Sequence, residues 1–390
     1  MLKMQAASEA ESGRTLSQWL DSHIAGIPLA DMPYAPFIQA HDAAKILPDF
    51  DLWDVWPLQL PDGSVAQIAG GTIWMILSAP CLSDPGARHD VARTRMLHKV
   101  GDVWNDCGNL FPDDLNPGTR EWSGAAIFDP QSATVTAYFT AAGRQEDPSR
   151  QFEQRLFHTQ GRLEVIEGMP KVDGWSDPVE SVTNDGSIYI DLSKDQGRPG
   201  HIRGFRDPYW FRDPATDLAY LIFAGSLANA TSDFSGAVGV AAANSAGKFT
   251  LLPPLISGDG LVNEMERPHF VMHKDRYYLF WSSQRHVFAP GTSPAPTGLY
   301  GMVAPSLMGP YVPLNGTGLV VTNPASEPRQ AYCWQVLDTL EVISFVDHWG
   351  LEGRSIDGDP ALNRSQFGGT IAPMLKIEIE GTTTRLRGLA

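Results

Sequence analysis

Cysteine and positive charge are both scarce in this chain of 390 residues. The cysteines, Cys81, Cys107 and Cys333, are scattered without a Cys-x-x-Cys pair, which indicates neither a disulfide framework nor a zinc site. Lysine and arginine number 29 against 45 acidic residues, so the formal net charge is −16. A surface this acidic repels nucleic acid and anionic membranes, and we expect neither as a partner.

Long hydrophobic runs are missing as well. No apolar run approaches the roughly 20 residues of a membrane-spanning helix. The segment Met1 to Arg14 lacks the apolar core of an ordinary secretory signal, so we expect a cytoplasmic location or export by a route without a signal peptide. Gly-x-Ser-x-Gly elbows, glycine-rich phosphate loops and His-Glu-x-x-His motifs are also absent, and we expect no cofactor.

Turn-forming residues, by contrast, are abundant: 37 glycines and 30 prolines are dispersed without a period. Five stretches repeat one plan, in which a short apolar run, a turn cluster and a second apolar run predict a β-hairpin. Such units bury their apolar faces only against their neighbours, so we predict an all-β fold, a five-bladed β-propeller with a central, funnel-shaped active site. The stretches are Trp53–Ala79, Trp122–Ala141, Arg206–Gly225, Glu264–Ser283 and Tyr332–His348.

The chain shows no convincing domain boundary. We therefore expect a single catalytic domain over residues 1–390, with an N-terminal extension over 1–50 and a propeller core over 51–373. Leu16, Trp19 and Leu20 lie at one-face helical spacing. This spacing predicts a short helix from Thr15 to Ala25 in the extension.

Acidic residues open several of the repeated units. Asp54 lies in the first unit, Asp207 in the third, and Glu264 and Glu266 in the fourth. The innermost strands of a propeller line a central channel, so residues at matching positions converge on one axis. Carboxylates gathered there repel one another, which favours a functional reason for the arrangement.

Trp53-Asp54-Val55-Trp56 places a carboxylate between two indoles. Aromatic faces stack on sugars, and an acid between them can bind a hydroxyl or attack an anomeric carbon. The alternative is a buried capping aspartate between core tryptophans. Trp122-Ser123-Gly124 offers another indole and a hydroxyl at the same relative place in the second unit.

Arg206-Asp207-Pro208 holds an acid beside a guanidinium at the start of an apolar strand. The arginine is expected to keep Asp207 ionised and to fix its geometry, which suits hydroxyl binding and charge stabilisation. A structural ion pair at a turn is the alternative interpretation.

Glu264-Met265-Glu266 puts two acids on one side of an extended strand. Crowding raises the pKa of one member of such a pair, as a general acid requires, whereas a solvent-facing acidic edge is the alternative. Gln284-Arg285-His286 follows the fourth unit as a polar cluster. It belongs either to the funnel rim or to a solvated loop.

Together these residues resemble glycoside hydrolase family 68, the levansucrases, inulosucrases and β-fructofuranosidases. The resemblance extends from about Asp51 to Pro373 and implies a five-bladed propeller and a retaining mechanism on sucrose. It rests on Leu52-Trp53-Asp54-x-Trp56-Pro57, Glu121-Trp122-Ser123-Gly124, Phe205-Arg206-Asp207-Pro208, Glu264-x-Glu266-Arg267-Pro268 and Phe367-Gly368-Gly369-Thr370.

By motif position the resemblance implies that Asp54 is the nucleophile, Glu266 the acid/base and Asp207 the stabiliser of the transition state. It implies further contacts with the fructosyl and glucosyl units from Trp53, Trp122, Ser123, Arg206, Glu264, Arg285 and Tyr332.

The chain departs from the family pattern near the implied acceptor site. Many polymer-forming relatives from Gram-negative bacteria carry His at the place of Gln284 and Tyr-Ser-His at the place of Tyr332-Cys333-Trp334. Gram-positive relatives hold calcium partly through an aspartate where this chain has Asn263, so we expect no metal. The residues expected to set acceptor and product specificity are Gln284, His286, Cys333 and Trp334.

The sequence therefore predicts a retaining β-fructofuranosidase or fructosyltransferase, with sucrose and sugar acceptors as its partners. Hydrolysis and short oligosaccharide transfer are favoured, because the chain departs from the polymer-forming pattern at Gln284 and at Tyr332-Cys333-Trp334. Both outcomes are possible because water or a sugar hydroxyl can resolve the same ester. A levansucrase that makes polymer is the alternative within the family. An inverting arabinan or xylan glycosidase and a non-catalytic sugar-binding propeller are the alternatives outside it.

Overall fold

The structure, a computed structural model, describes residues 16–390. Its first element is the short strand β1 (Ser17–Gln18), and the helix α1 (Asp21–Ile24) follows. The predicted helix from Thr15 to Ala25 is wrong except for that single turn, and Thr15 lies outside the described residues. Strand β1 instead pairs in parallel with residues Ile256 and Ser257. This pairing fixes Trp19, which is fully buried against the rings of Trp281 and Tyr300.

All five predicted hairpins are confirmed, each as the first two long strands of an antiparallel unit. The first unit comprises β2 (Phe50–Gln59), β3 (Gln67–Ile68), β4 (Gly71–Pro80), β5 (Arg93–Val100) and β6 (Val103–Asn109). The second comprises β7 (Arg120–Asp129), β8 (Thr134–Ala142), β9 (Gln154–Ile166), β10 (Met169–Asp173) and β11 (Val179–Val182), and a small ribbon of β12 (Gly197–Arg198) and β13 (His201–Ile202) follows.

The remaining units have the same form. The third comprises β14 (Phe205–Arg212), β15 (Ala219–Ser226), β16 (Gly236–Ala243) and β17 (Phe249–Ser257). The fourth comprises β18 (Glu266–His273), β19 (Arg276–Ser283), β20 (Gly298–Ala304), β21 (Val312–Pro313) and β22 (Leu319–Thr322). The fifth comprises β23 (Ala331–Val336), β24 (Glu341–His348), β25 (Phe367–Ile371), β26 (Leu375–Glu380) and β27 (Thr383–Leu389). The helices other than α1 are α2 (Pro360–Gln366) and the 3-10 helices Pro85–Asp90, Arg285–Val287 and Leu314–Gly316.

The architecture is an all-β propeller. Strands β2 and β7 pair in parallel through Leu58 with Ala126 and Gln59 with Ile127, which joins the first two units into one ten-stranded sheet. The number of separate hydrogen-bonded sheets therefore differs from the number of repeated units. The count of five blades stays a prediction.

The first hairpin of every unit contains a register shift at the same relative place. A β-bulge of this kind leaves a residue unpaired and re-aims its side chain. Four of the residues concerned adopt left-handed backbone conformations, which residues other than glycine rarely do: Asp54 (φ 46°), Asp207 (φ 60°), Arg267 (φ 50°) and Cys333 (φ 52°). We call the equivalent dipeptides the bulge pairs: Trp53-Asp54, Trp122-Ser123, Arg206-Asp207, Glu266-Arg267 and Tyr332-Cys333.

The bulge pairs confirm that Asp54 and Asp207 occupy matching positions. In the fourth unit they change the expected alignment: Arg267 takes the place of Asp54, and Glu266 takes the place of Trp53. Glu264 lies before β18, outside the repeated position.

A buried ion cluster links the first unit to the fifth. Asp51, on β2, is fully buried. Its carboxylate accepts hydrogen bonds from Lys45 Nζ at 2.5 Å and from Arg364 Nη1, in α2, at 2.6 Å. Burial opposes ionisation of Asp51, but the bonds from Arg364 and Lys45 lower its pKa below the ordinary value. The cluster therefore connects segments far apart in sequence beside the strand that carries Asp54.

Candidate active site

The inner ends of the first four units surround a cavity of about 450 Å³. The bulges supply part of the cavity lining, because each bulge re-aims a side chain of the first strand of its unit. Ten of the predicted site residues line this cavity: Trp53, Asp54, Trp122, Ser123, Arg206, Asp207, Glu264, Glu266, Gln284 and His286.

Asp54 is held by neutral donors. Ser123 Oγ, from the next bulge pair, donates to Asp54 Oδ2 at 2.6 Å. The Cys333 thiol also bonds this carboxylate. The indole of Trp53 is buried immediately beside it. Asp54 is thus oriented without a guanidinium or ammonium paired to it among the described residues, which leaves its charge available to an electrophile.

Arg206 gathers the acids on the opposite side. Its Nη2 lies 3.1 Å from Glu264 Oε2 and 3.1 Å from Glu266 Oε1. Burial by itself would lower the pKa of the guanidinium, but the charges of Glu264 and Glu266 raise it above the ordinary value. Arg206 therefore stays charged and holds the two carboxyl groups on one side of the cavity.

Glu264 has a raised pKa. Burial, with repulsion from Glu266 and Asp207, raises the pKa of Glu264 to about 7 despite Arg206. Glu266 also accepts a hydrogen bond from the Tyr332 hydroxyl. Burial and the charge of Glu266 raise the pKa of Tyr332 well above its ordinary value, so this hydroxyl remains a donor.

The expected role of Arg206 towards Asp207 is wrong. Arg206 Nε lies 3.7 Å from Asp207 Oδ2, because the donors at Nη2 face the glutamates instead. Burial, with the nearby charges of Glu266 and Asp54, raises the pKa of Asp207 to about 7 despite Arg206. The carboxyl is positioned chiefly by the backbone N–H of Arg267, which donates to Asp207 Oδ2 at 3.2 Å.

The rim residues lie at the open side of the cavity. Gln284 is half-buried, whereas His286 is exposed to the cavity. Burial among the surrounding elements lowers the pKa of His286. On the other side, Trp122 Nε1 donates to the carbonyl of His89 at 3.2 Å.

Four predicted site residues do not line the cavity. Tyr332 still reaches it through Glu266. Arg285 is exposed on the 3-10 helix after β19, where its backbone N–H donates to Thr297 Oγ1 at 3.0 Å. Cys333 is buried beneath Asp54, and Trp334 is fully buried beside a separate small cavity. The structure places Cys333 and Trp334 in the interior, outside the lining of the central cavity, and their influence on the acceptor stays a prediction.

Other lining residues were missed by the sequence analysis. Most of them come from turns and from the 3-10 helix Pro85–Asp90, whereas Leu77 lies on β4 and Ile202 on β13. No periodicity or charge pattern marks these side chains as functional, and the local signals of ordered turns were Pro85-Gly86 and Pro199-Gly200. The missed residues are Leu77, Gly86, His89, Asp90, Phe152, Pro199, Gly200 and Ile202.

The site residues do not form a metal centre. Across residues 16–390, no group of three or more His, Cys, Asp or Glu side chains is placed to hold a metal ion. Asn263 Nδ2 donates to Ile202 O at 3.0 Å and to Glu264 Oε1 at 3.3 Å, which uses this amide to orient Glu264.

An all-β propeller whose central cavity combines two indoles, five carboxyl groups and an arginine is the architecture of an enzyme that acts on glycosides. A family model described as Levansucrase/Invertase matches residues 11–236 and 229–388. The chain belongs to this family, glycoside hydrolase family 68, and is an enzyme of the glycoside hydrolase and fructosyltransferase type.

Individual relatives agree with this assignment. A levansucrase from Zymomonas mobilis subsp. mobilis is 30% identical over 383 residues, covering 91% of this chain and 85% of the relative. The inulosucrase from Halalkalicoccus jeotgali bound to kestose is 35% identical, with a TM-score of 0.87 and 96% of each chain covered. The levansucrase from Gluconacetobacter diazotrophicus shares the fold, with a TM-score of 0.82 at 22% identity over 96% of this chain and 90% of that one.

The described helices are short. None within residues 16–390 is long and apolar enough to cross a membrane.

Proposed function

We propose that this enzyme cleaves sucrose through a covalent fructosyl-enzyme ester, and that it favours hydrolysis and short fructooligosaccharide transfer. The observation that carries the proposal is the contrast between Asp54, oriented by Ser123 without a cationic partner, and Glu266, tied to Arg206 and Tyr332 within the same cavity. A retaining glycosidase needs such a pair, with one carboxylate as nucleophile and one carboxyl group as acid/base.

Asp54 attacks the anomeric carbon of the fructosyl unit. The hydrogen bond from Ser123 Oγ to Oδ2 at 2.6 Å selects one orientation of the carboxylate that forms the ester. A preset orientation removes part of the entropic cost of reaching the transition state.

Glu266 protonates the departing glucosyl oxygen and then deprotonates the acceptor. Arg206 and the Tyr332 hydroxyl bind its two oxygens, and both contacts can be exchanged for substrate contacts as the proton moves. Asp207 stabilises the positive charge that develops on the fructosyl ring, because a buried carboxyl group interacts strongly with such charge.

The acceptor decides the product. Gln284 and His286 are the predicted specificity residues that line the open side of the cavity, and they would meet water or an incoming sugar hydroxyl there. Cys333 and Trp334 are buried and do not line the cavity, so we assign the preference for hydrolysis to Gln284 and His286. We propose a single catalytic domain over residues 1–390, with neutral sugars as its only ligands.

Polymer synthesis is the second candidate function. The specific support is the levansucrase from Zymomonas mobilis subsp. mobilis, which covers 91% of this chain at 30% identity.

Product analysis tests the proposal. Purified enzyme is incubated with concentrated sucrose, and released glucose, free fructose, oligosaccharides and polymer are quantified over time. We expect glucose release, with fructose and short oligosaccharides as the main fructosyl products, and β-fructofuranose as the first hydrolysis product by rapid NMR. An initial α-anomer would contradict the ester intermediate, and a majority of polymer would favour the second candidate.

A further inference from the structure

His89 lines the cavity, but the proposed reaction gives it no role. It lies at the end of the 3-10 helix Pro85–Asp90 and lines the cavity together with Trp53 and Asp54. Its ring meets the Trp53 indole edge-on, with 5.5 Å between centroids. Within residues 16–390 no group bonds the imidazole nitrogens, and the side chain is exposed to the cavity.

The helix that carries His89 is fixed at several points. The Asp84 side chain accepts from the backbone N–H of Gly86 at 2.9 Å, which caps its start. Arg88 Nη1 donates to Pro85 O at 2.8 Å, and its guanidinium lies over the Phe367 ring at 4.6 Å. At its end, the Trp122 indole bonds the His89 carbonyl. The imidazole is therefore presented by rigid structure, as a binding group must be.

The charges around His89 keep the ring neutral. Although the ring faces the cavity, the surrounding protein shields it from bulk water, which lowers the pKa of His89 well below its ordinary value. The charges of Arg88, Arg120 and Arg206 act in the same direction, and the charge of Asp347 acts against them. A neutral imidazole has one N–H donor and one acceptor nitrogen, which matches the donor and acceptor capacity of a sugar hydroxyl.

The position of His89 determines whether it contacts the departing glucosyl unit or the transferred fructosyl unit. In the proposed reaction the departing unit lies beside Glu266, on the side of Gln284 and His286, while the transferred unit lies over Asp54. The contacts of His89 are with Trp53 and Trp122, on the Asp54 side. Resting on the proposed function, we infer that the neutral imidazole of His89 binds a hydroxyl of the transferred fructosyl unit and contributes to the choice of fructose over glucose on that side.

Sugar binding by the full chain tests this inference. Trp53 and Trp122 line the cavity, so tryptophan fluorescence reports titrations with fructose and with glucose. His89→Phe keeps an aromatic edge against Trp53 but removes both hydrogen-bonding nitrogens. His89→Gln restores one donor and one acceptor. The exposed His41 gives a matched control, His41→Phe.

We expect His89→Phe to weaken fructose binding about tenfold, as for the loss of a buried hydrogen bond, and to change glucose binding less than twofold. His89→Gln should recover part of the loss, and His41→Phe should match the unaltered chain. Fructose binding by His89→Phe equal to that of the unaltered chain, equal losses for both sugars, or no saturable fructose binding at all would overturn the inference. The titrations require no turnover, so a failure to cleave sucrose would refute the proposed function without deciding the role of His89.

Discussion

The two sides of the cavity use the same backbone feature and surround it with opposite chemistry. On the Asp54 side, the bulge pairs of the first two units supply indoles, a hydroxyl and one carboxylate bonded by neutral groups. On the Glu266 side, the third and fourth units and the residue before β18 supply three carboxyl groups around Arg206.

The two acids differ in their neighbours rather than in their strand position. Asp54 and Asp207 occupy equivalent places with left-handed φ values of 46° and 60°. Yet Asp54 is bonded by Ser123, whereas burial and repulsion raise the pKa of Asp207 to about 7. One position thus places carboxyl groups in two different surroundings, which supports the proposed roles of Asp54 as nucleophile and of Asp207 as electrostatic group.

Removing the carboxylate of Asp54 should have the largest effect on the rate of sucrose cleavage. Asp54→Asn keeps the shape of the side chain but cannot form the ester, so we expect glucose release from sucrose to fall on the order of 10⁴-fold or more. Sucrose binding, followed by tryptophan fluorescence, and the circular dichroism spectrum should be retained. Residual turnover above about a hundredth of the original rate would remove Asp54 from the nucleophile role.

On the Glu266 side of the cavity, Glu266→Gln should lower the rate of sucrose cleavage about 10³-fold. Activity should recover in part on a fructosyl donor whose leaving group needs no protonation. Glu264→Gln is the matched control, since Glu264 shares Arg206 with Glu266 but is expected to show no such selective recovery. Recovery in Glu264→Gln instead would make Glu264 the acid.

Asp207→Asn should separate catalysis from stability. We expect the rate to fall about 10²-fold, because the charge that stabilises the transition state is lost. The pKa of Asp207 is raised in the folded chain, so its ionisation costs folding free energy as pH rises from about 4 through 7. The variant should therefore gain thermal stability at pH 8 relative to the unaltered chain and gain little at pH 4.

Differential scanning calorimetry at both pH values measures this gain, and initial rates at pH 6 measure the loss of activity. A variant that is slower but equally stabilised at pH 4 and pH 8 would show that the carboxylate of Asp207 is not held against burial.

Ser123→Ala tests the neutral donor on the first side. Loss of a hydrogen bond to a carboxylate typically costs about 1.5–3 kcal/mol, so we expect kcat to fall about tenfold or more while KM changes little. Ser132→Ala is the control, because Ser132 Oγ also donates to an aspartate, Asp129, at 2.6 Å but at an exposed site. Equal kinetics for both variants would mean that Ser123 does not orient Asp54.

The rim substitution should have the smallest effect on cleavage. Gln284→His offers an incoming sugar hydroxyl a new hydrogen-bonding partner on the Glu266 side, so transfer should gain about twofold over hydrolysis, by a fraction of 1 kcal/mol. Sucrose consumption should change less. Free fructose and oligosaccharides, compared at equal sucrose consumption, provide the measurement, and an unaltered partition would remove Gln284 from acceptor control.

Local patterns predicted much of this arrangement. The hairpins follow from apolar runs around turn clusters, and the matching of Asp54 with Asp207 follows from their places within the units. Contacts between units could not be predicted this way. Arg206 bonds the glutamates of the next unit rather than Asp207, and His89 reaches the cavity from a short 3-10 helix whose position depends on contacts between units.

The predicted N-terminal helix failed for a related reason. A one-face apolar pattern is also satisfied when a single large residue, here Trp19, fills a gap between distant strands. The parallel pairing of Ser17 with Ile256 joins residues far apart in sequence, and a local window contains no trace of it.

The recurring bulge has a consequence for how new activities arise on this scaffold. Ladder pairing resumes on both sides of each bulge, so the two side chains within it can be exchanged without disturbing the hydrogen bonds that hold the sheet. A residue forced into the left-handed region costs about 1–2 kcal/mol, and four bulges already carry that cost with four different side chains. Natural selection or protein engineering can therefore substitute the dipeptides at these bulges and change the reactivity of the cavity while the fold is kept.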